Sequence, residues 1–203
     1  DRVTLHMPMM PELPIAMLAC ARLGAIHSQV FGGFSGSACG DRIVDSESNI
    51  LITIDSYWRG GKLLEHKSKA DVAVEKAAQS GVIVDKVLIW NRYPEKESKV
   101  DLIDDRDYLI YDLLKKYRGK RIDPVSMSSE SPLFIMYTSG TTAKPKGIQH
   151  STGGYLSYVA GTSKYYQDIH PEDVYWCFAD IGWITGHSYI VYGPLSVGAT
   201  SVM

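Results

Sequence analysis

The chain has 203 residues, 45% hydrophobic and 22% charged, with a net charge of −2. That length suits one domain or a large part of one, and the balance is that of a globular protein able to bury a core. Near-neutral charge excludes the general basic character that draws proteins to nucleic acid or acidic membranes, so partners must be sought in local sites.

Residues 1–8 mix β-branched and apolar side chains and read as a strand. Pro8, Pro11 and Pro14 punctuate the passage into a helix, in which Leu13, Ala16, Met17, Cys20 and Ala21 recur at three- and four-residue spacing and Gly24 marks the stop. Residues 25–31 read as a second strand, which completes a β-α-β unit of the parallel-sheet kind. Gly32-Gly33-Phe34-Ser35-Gly36 lacks lysine and the Gly-x-Gly-x-x-Gly spacing, so it is expected to be a structural turn into a short helix through Ile43 and Val44.

A third strand is expected over residues 49–55, with Arg59-Gly60-Gly61-Lys62 after it at a strand-to-helix junction. Cations flanking glycines at a helix start can hold a phosphate; a solvated loop is the alternative for so short a string. Residues 62–79 read as a polar helix, 82–90 as a strand, and 91–107 as a charged surface excursion. Residues 108–117 look helical, and the cations from Lys115 to Arg121 fit a helix end that faces water. Residues 122–132 form a connector.

Leu133-Phe134-Ile135-Met136-Tyr137 has the length and composition of a buried strand, and a polar loop, Thr138-Ser139-Gly140-Thr141-Thr142-Ala143-Lys144-Pro145-Lys146-Gly147, springs from its end. Hydroxyls on Thr138, Ser139, Thr141 and Thr142 can donate to phosphate oxygens, Gly140 and Gly147 let the backbone turn inward, and Lys144 and Lys146 add charge about the stiffening Pro145. A polyphosphate suits this loop. The order differs from a Walker loop, which ends in Gly-Lys-Ser/Thr, because here the hydroxyls precede the lysines. A polar surface loop between a strand and a helix is the bland alternative.

A helix is expected to open at Gln149 and run to about Tyr166, followed by a strand over residues 174–179. Asp180-Ile181-Gly182-Trp183-Ile184-Thr185-Gly186-His187 then gathers a carboxylate, an indole, a hydroxyl and an imidazole at a strand end, the make-up of a small-molecule site. His187 is expected to be structural, Trp183 is equally a core or a site residue, and Thr185, between glycines, leans to function. A helix is expected to begin at Tyr189 and a strand at Ala199.

Cys20, Cys39 and Cys177 stand far apart without a C-x-x-C pair or a companion His, which argues against disulfides or a zinc site and for a reducing, cytoplasmic setting. No apolar run approaches membrane-spanning length, so no membrane partner is expected. Any targeting segment is expected upstream of Asp1.

The loop 137–147 resembles the phosphate-binding signature of the adenylate-forming superfamily, with Ala143 where that signature usually has a third Gly. Met9-Met10-Pro11-Glu12, residues 17–25, Phe31-Gly32-Gly33-Phe34-Ser35 and above all residues 175–189 are similar to the acetyl-CoA synthetase branch, a likeness that spans nearly the whole chain and is weakest from Asn91 to Arg121. The resemblance implies an α/β fold of stacked βαβ units with a largely parallel sheet. Residues 1–203 would be an incomplete part of the AMP-binding N-terminal domain, with a first βαβ region over 1–90, a variable excursion over 91–121 and the phosphate-loop region over 122–203.

It also implies a ligation of acetate to CoA at the expense of MgATP, with an acetyl-adenylate between the two steps. ATP and diphosphate would be held by Thr138, Ser139, Gly140, Thr141, Thr142, Lys144, Lys146 and Gly147, with Thr141 and Lys146 acting on the reaction. Arg59, Gly60, Gly61, Lys62 and Thr185 would bind CoA. Trp183, Ile184 and Thr185 would line the acyl pocket, and Asp180 would brace it. The family's magnesium-binding, ribose-binding and C-terminal lysine motifs find no match, so the chain is expected to be an internal piece, inactive alone. A propionate-preferring ligase, a P-loop phosphotransferase and a non-catalytic nucleotide-binding module remain as alternatives.

Overall fold

The computed structural model describes residues 1–92, 100–138 and 145–203. Strand β1 (Arg2–Met7) is buried continuously from Val3, the pattern of a strand covered on both faces. It pairs in parallel with β2 (Ile26–Phe31) on one side and β3 (Ile50–Ile54) on the other, through α1 (Glu12–Leu23) and α2 (Gly36–Ser46). A hairpin of β4 (Ser56–Arg59) and β5 (Lys62–Glu65) precedes α3 (Lys67–Gln79), β6 (Lys86–Trp90), β7 (Asp107–Leu109) and α4 (Ile110–Tyr117). Then come β8 (Pro132–Thr138), β9 (Lys146–Ser151), α5 (Thr152–Tyr165) and β10 (Val174–Trp176). A helical run follows, of α6 (Ile184–Gly186), a π-helical turn (His187–Tyr192) and α7 (Gly193–Ser196), before β11 (Thr200–Val202) pairs with β10.

The main sheet has the order β7-β6-β3-β1-β2-β8-β9, parallel throughout except between β8 and β9. The expected α/β fold with a largely parallel sheet is therefore present. One face is covered by α1, α5 and the run 184–196, which bury Leu13, Met17, Phe134, Tyr155, Val159 and Ile190. The other is covered by α2 and α3 over Cys39, Ile43, Leu51, Ala73, Val87 and Ile89. Each such aliphatic or aromatic side chain contributes roughly 1.5–3 kcal/mol by leaving water. Helix α1 ends as its sequence predicts: Gly24 takes the left-handed conformation at φ 69°, and the N–H groups of Gly24 and Ala25 return to Ala21 O and Cys20 O.

Helices α2 and α3 approach closely because their contact is made of small residues. A Cβ on Gly36 would overlap the Lys69 carbonyl oxygen, and one on Gly40 would lie 3.0 Å from Ala73 O. An ion network then ties α3 to β7. Lys67 Nζ lies 2.9 Å from Asp107 Oδ2 and 2.7 Å from Asp71 Oδ1, while Arg106 Nε lies 2.6 Å from Asp107 Oδ1. Burial works against the Asp107 carboxylate, but the bonds from Arg106, the Ile103 N–H and Lys67 outweigh it and hold its pKa below the usual range.

Several boundaries differ from the sequence reading. Arg59-Gly60-Gly61-Lys62 does not start a helix: Arg59 pairs with Lys62 across an antiparallel hairpin, and Gly60 and Gly61 take the positive φ, 58° and 74°, that a two-residue hairpin turn demands. The polar helix begins only at Lys67. The segment after the polar loop is a strand through Ser151, not a helix from Gln149, because it pairs with β8. The last helical run begins at Ile184, ahead of Tyr189, so Thr185 lies in a helical turn. Asp107–Leu109 forms an edge strand ahead of α4, and β10 ends at Trp176.

Buried imidazoles make the fold sensitive to acid. His6, His27, His66 and His187 are all 0% exposed. Burial lowers all their pKa values: His66 to about 4, with help from Lys69, and His187 to about 4 despite backbone hydrogen bonds that oppose the shift. His6 and His27 fall well below the usual value, His6 with help from His66 and Lys69 and His27 with help from His187. Below about pH 6.5 the unfolded chain binds protons that the folded chain refuses, so stability is full above pH 6.5 and falls as the pH drops toward 4, where His66 and His187 accept protons in the folded chain as well. Urea unfolding at pH 7 and pH 5 should show a clear loss of stability at the lower pH; equal stability would refute it. Asp107→Ala should cost about 1–3 kcal/mol in the same assay, because the Ile103 N–H loses its acceptor and Lys67 and Arg106 keep only Asp71 between them.

Candidate functional site

Open α/β sheets bind ligands at the carboxyl ends of their strands. Here the carboxyl ends of β2 and β8 lie side by side, and a cavity of about 190 Å³ opens between them, lined by Gln29, Phe31, Arg42, Tyr137, Thr138 and Trp183 among others. A larger groove of about 450 Å³ lies at the opposite, amino ends of these strands, beside Ala25 and Leu133; its lining has no charged side chain and none of the predicted site residues.

The polar loop springs from the β8–β9 hairpin. Thr138 pairs with Lys146, and Tyr137 with Gly147, so the residues at the two ends of the loop face each other across one ladder. Thr138, Lys146 and Gly147 are exposed. Ser139, Gly140, Thr141, Thr142 and Lys144 lie outside the described residues. The hydroxyl of Thr138 and the ammonium of Lys146 at the root of the loop are thus open to a ligand rather than taken up by the core.

The second loop meets the same place from the other side. Asp180 Oδ1 accepts the Gly182 N–H at 2.7 Å and Asp180 O accepts the Trp183 N–H at 3.0 Å, a turn that presents the indole. Gly182 lies against β2, where a Cβ would come 3.0 Å from Phe31 Cα. A Cβ on Gly186 would overlap the Asp180 carbonyl, so the helical run can start this tightly only with glycine there. Burial pushes the Asp180 carboxyl above its usual range, opposed by the Gly182 N–H and by Arg59.

Phe31 is the shared platform. Trp183 stands 5.9 Å from its ring and 6.3 Å from that of Phe34, and the Arg59 guanidinium lies 5.7 Å from the Phe31 centroid. Arg59 therefore reaches the cluster from the β4–β5 hairpin, joined by Lys69 of α3, whose Nζ donates to Gly32 O at 3.4 Å. Burial, and then Arg59, lowers the Lys69 pKa, as expected where two cations converge.

The predicted residues thus fall into two groups. Arg59, Trp183 and Thr138 gather around the Phe31 end of β2, with Ile184 and Thr185 following Trp183 on the exposed first helical turn. Trp183 is half exposed, not a core residue. Gly60, Gly61 and Lys62 are exposed at the hairpin turn, and the turn itself accounts for both glycines. His187 is buried, 4.8 Å from the Phe134 ring, in keeping with a structural role. Sequence reasoning missed Phe31, Arg42, Asp45 and Lys69 as members of this neighbourhood. Their signal was a pair of charges one turn apart on α2 and aromatic residues at a strand end, neither of which points to a site without the pairing of β2 and β8. Among the described residues, no group of three or more His, Cys, Asp or Glu is placed to hold a metal ion, and no helix is long and apolar enough to cross a membrane.

The family of AMP-binding enzymes matches residues 1–203. The chain is 53% identical over 203 residues to an acetyl-coenzyme A synthetase of Rhizobium rhizogenes, covering 100% of this chain and 30% of that protein. It is 50% identical over 204 residues to the acetyl-coenzyme A synthetase of Bartonella quintana and 52% over 203 residues to that of Allorhizobium ampelinum, again with 100% of this chain and 30% and 31% of theirs. The chain spans about a third of the length of these relatives.

Gly186→Ala forces a methyl into the Asp180 carbonyl and should destabilise the protein by about 1–3 kcal/mol, the usual range for overpacking. A thermal unfolding midpoint unchanged by this substitution would contradict the close approach.

Proposed function

This chain belongs to the family of AMP-binding enzymes, and we propose that it supplies the diphosphate grip and part of the CoA and acyl sites of an acetate–CoA ligase. In the first step an acetate oxygen attacks the α-phosphorus of ATP; the acyl–oxygen–phosphorus link forms, the bond from the α-phosphorus to its bridging oxygen breaks, and diphosphate leaves. Negative charge grows on that leaving group. Hydroxyl and ammonium donors in the loop from Thr138 to Lys146, with Thr141 and Lys146 foremost, offset the charge as it develops, which is electrostatic rather than covalent catalysis. In the second step the CoA sulfur attacks the acyl carbon and AMP departs. Magnesium accompanies ATP and neutralises phosphate charge.

Support for this reading rests on one observation above the others: Thr138 and Lys146 face each other at the carboxyl end of β8, beside the cavity that Trp183 also lines. Arg59 and Lys62 suit the phosphates of CoA, since both are exposed cations on one hairpin tip and Arg59 already lies near the Phe31 end of the cavity. Ile184 and Thr185 follow Trp183 toward the acyl side. A cytoplasmic setting belongs to the same proposal, in keeping with free thiols at Cys20, Cys39 and Cys177. A propionate-preferring ligase differs only in the depth of the acyl pocket.

Half-reactions measured on the full-length protein separate the two sites. Lys146→Ala should slow acetate-dependent ATP–diphosphate exchange by about 100-fold or more, the scale of losing one preorganised donor to a developing anion. Arg59→Ala should raise the KM for CoA while sparing that exchange. Normal exchange by Lys146→Ala would remove it from the grip, and equal loss of both halves in Arg59→Ala would assign that residue to folding.

A further inference from the structure

The hairpin that carries the phosphate loop is held from outside by α2. Tyr137 stands one residue before Thr138, opposite Gly147, so its ring flanks the root of the loop. Its hydroxyl donates to Asp45 Oδ2 at 2.7 Å, and the Arg42 guanidinium lies 5.4 Å from its ring centroid. Asp45 and Arg42 are one turn apart on α2.

Gly147 makes the approach possible. A Cβ there would lie 3.2 Å from Asp45 Oδ2, 3.2 Å from the Tyr137 ring and 3.0 Å from Ile135. Arg42 is in turn fixed on its own side: it is only 8% exposed, its Nη1 donates to Ala38 O at 2.6 Å, and it lies 4.7 Å over the Phe34 ring. The helix has little room to drift, because Gly36 and Gly40 press it against the backbone of α3. A phenol donating to a carboxylate forms a charge-assisted bond, stronger than a neutral pair. Burial, reinforced by Asp45, raises the Tyr137 pKa, so the donor proton stays in place across the neutral range.

We propose that Arg42, Tyr137 and Asp45 form a clamp that sets the root of the phosphate loop, with Tyr137 and Asp45 as positioning residues that act through Thr138 and Lys146. The clamp rests on the reading of that loop as a grip on the diphosphate of ATP. Catalytic donors lose their effect when displaced by an ångström, so freeing one side of the hairpin root weakens diphosphate binding without removing any donor.

Calorimetric titration of the full-length protein with inorganic diphosphate and with MgATP tests the clamp. Tyr137→Phe, which keeps the ring, and Asp45→Asn should each weaken both probes about tenfold, the scale of one charge-assisted hydrogen bond lost. Both should raise the KM for ATP in exchange while leaving the KM for acetate unchanged. The double variant should bind no more weakly than either single one, because the two groups act through one bond. Asp41→Asn, on the same helix but paired with Lys76 at the surface, should leave binding unchanged. Wild-type affinity in both Tyr137→Phe and Asp45→Asn would overturn the clamp, as would additive losses in the double variant. If the unsubstituted protein binds neither probe, the reading of the loop falls and the clamp falls with it.

Discussion

Parallel pairing of β8 with β2, with His27 against Phe134 and Ser28 against Ile135, brings together segments far apart in the chain. Phe134 is fully buried and lies among His150, Tyr155, His187, Tyr192 and His27, with ring centroids 4.6–6.1 Å away, so the position of β8 is set by an aromatic cluster as well as by its ladder. The His27 ring lies 2.7 Å from the Tyr192 hydroxyl, which links this cluster to the helical run beginning at Ile184. Through that packing the two polar loops, one after β8 and one before the run, open at the same end of the sheet. The site is a consequence of how the core closes.

Much of this was legible in the sequence. The 3.6-residue period of α1 and its Gly24 stop were readable because both are local, and the parallel sheet followed from alternating strands and helices. The errors have different causes. Arg59-Gly60-Gly61-Lys62 carries the composition of an anion-binding helix start, but Gly-Gly is also a local signal for a two-residue hairpin, and Arg59 pairs with Lys62 across it. Gln149 and His150 lie in a strand because β8 offers an edge, which no window around them reveals. For the site itself, the hydroxyl and lysine content of the loop was visible, whereas Phe31, Arg42 and Asp45 became meaningful only when α2 was seen beside Tyr137.

Charge is distributed to suit the proposed chemistry. Lys146, Arg59 and Lys69 stand near the carboxyl ends of β8 and β2, while the buried carboxylate Asp107 is consumed by Lys67 and Arg106 at the other edge of the sheet. The buried histidines contribute aromatic packing, and burial pushes their pKa values below the usual imidazole range. Glycines at 147, 182 and 186 serve close approaches of backbone and side chain at the site, where any Cβ would crowd a neighbour.

The most direct test of the central claim, that this fold serves carboxylate adenylation, is ATP–diphosphate exchange by the full-length protein in the absence of CoA, with acetate, propionate and a longer acid compared. The account predicts exchange that requires an acid and is fastest with acetate. A folded, magnesium-supplied protein that exchanges with none of the acids would contradict it and leave a nucleotide-binding role without ligation.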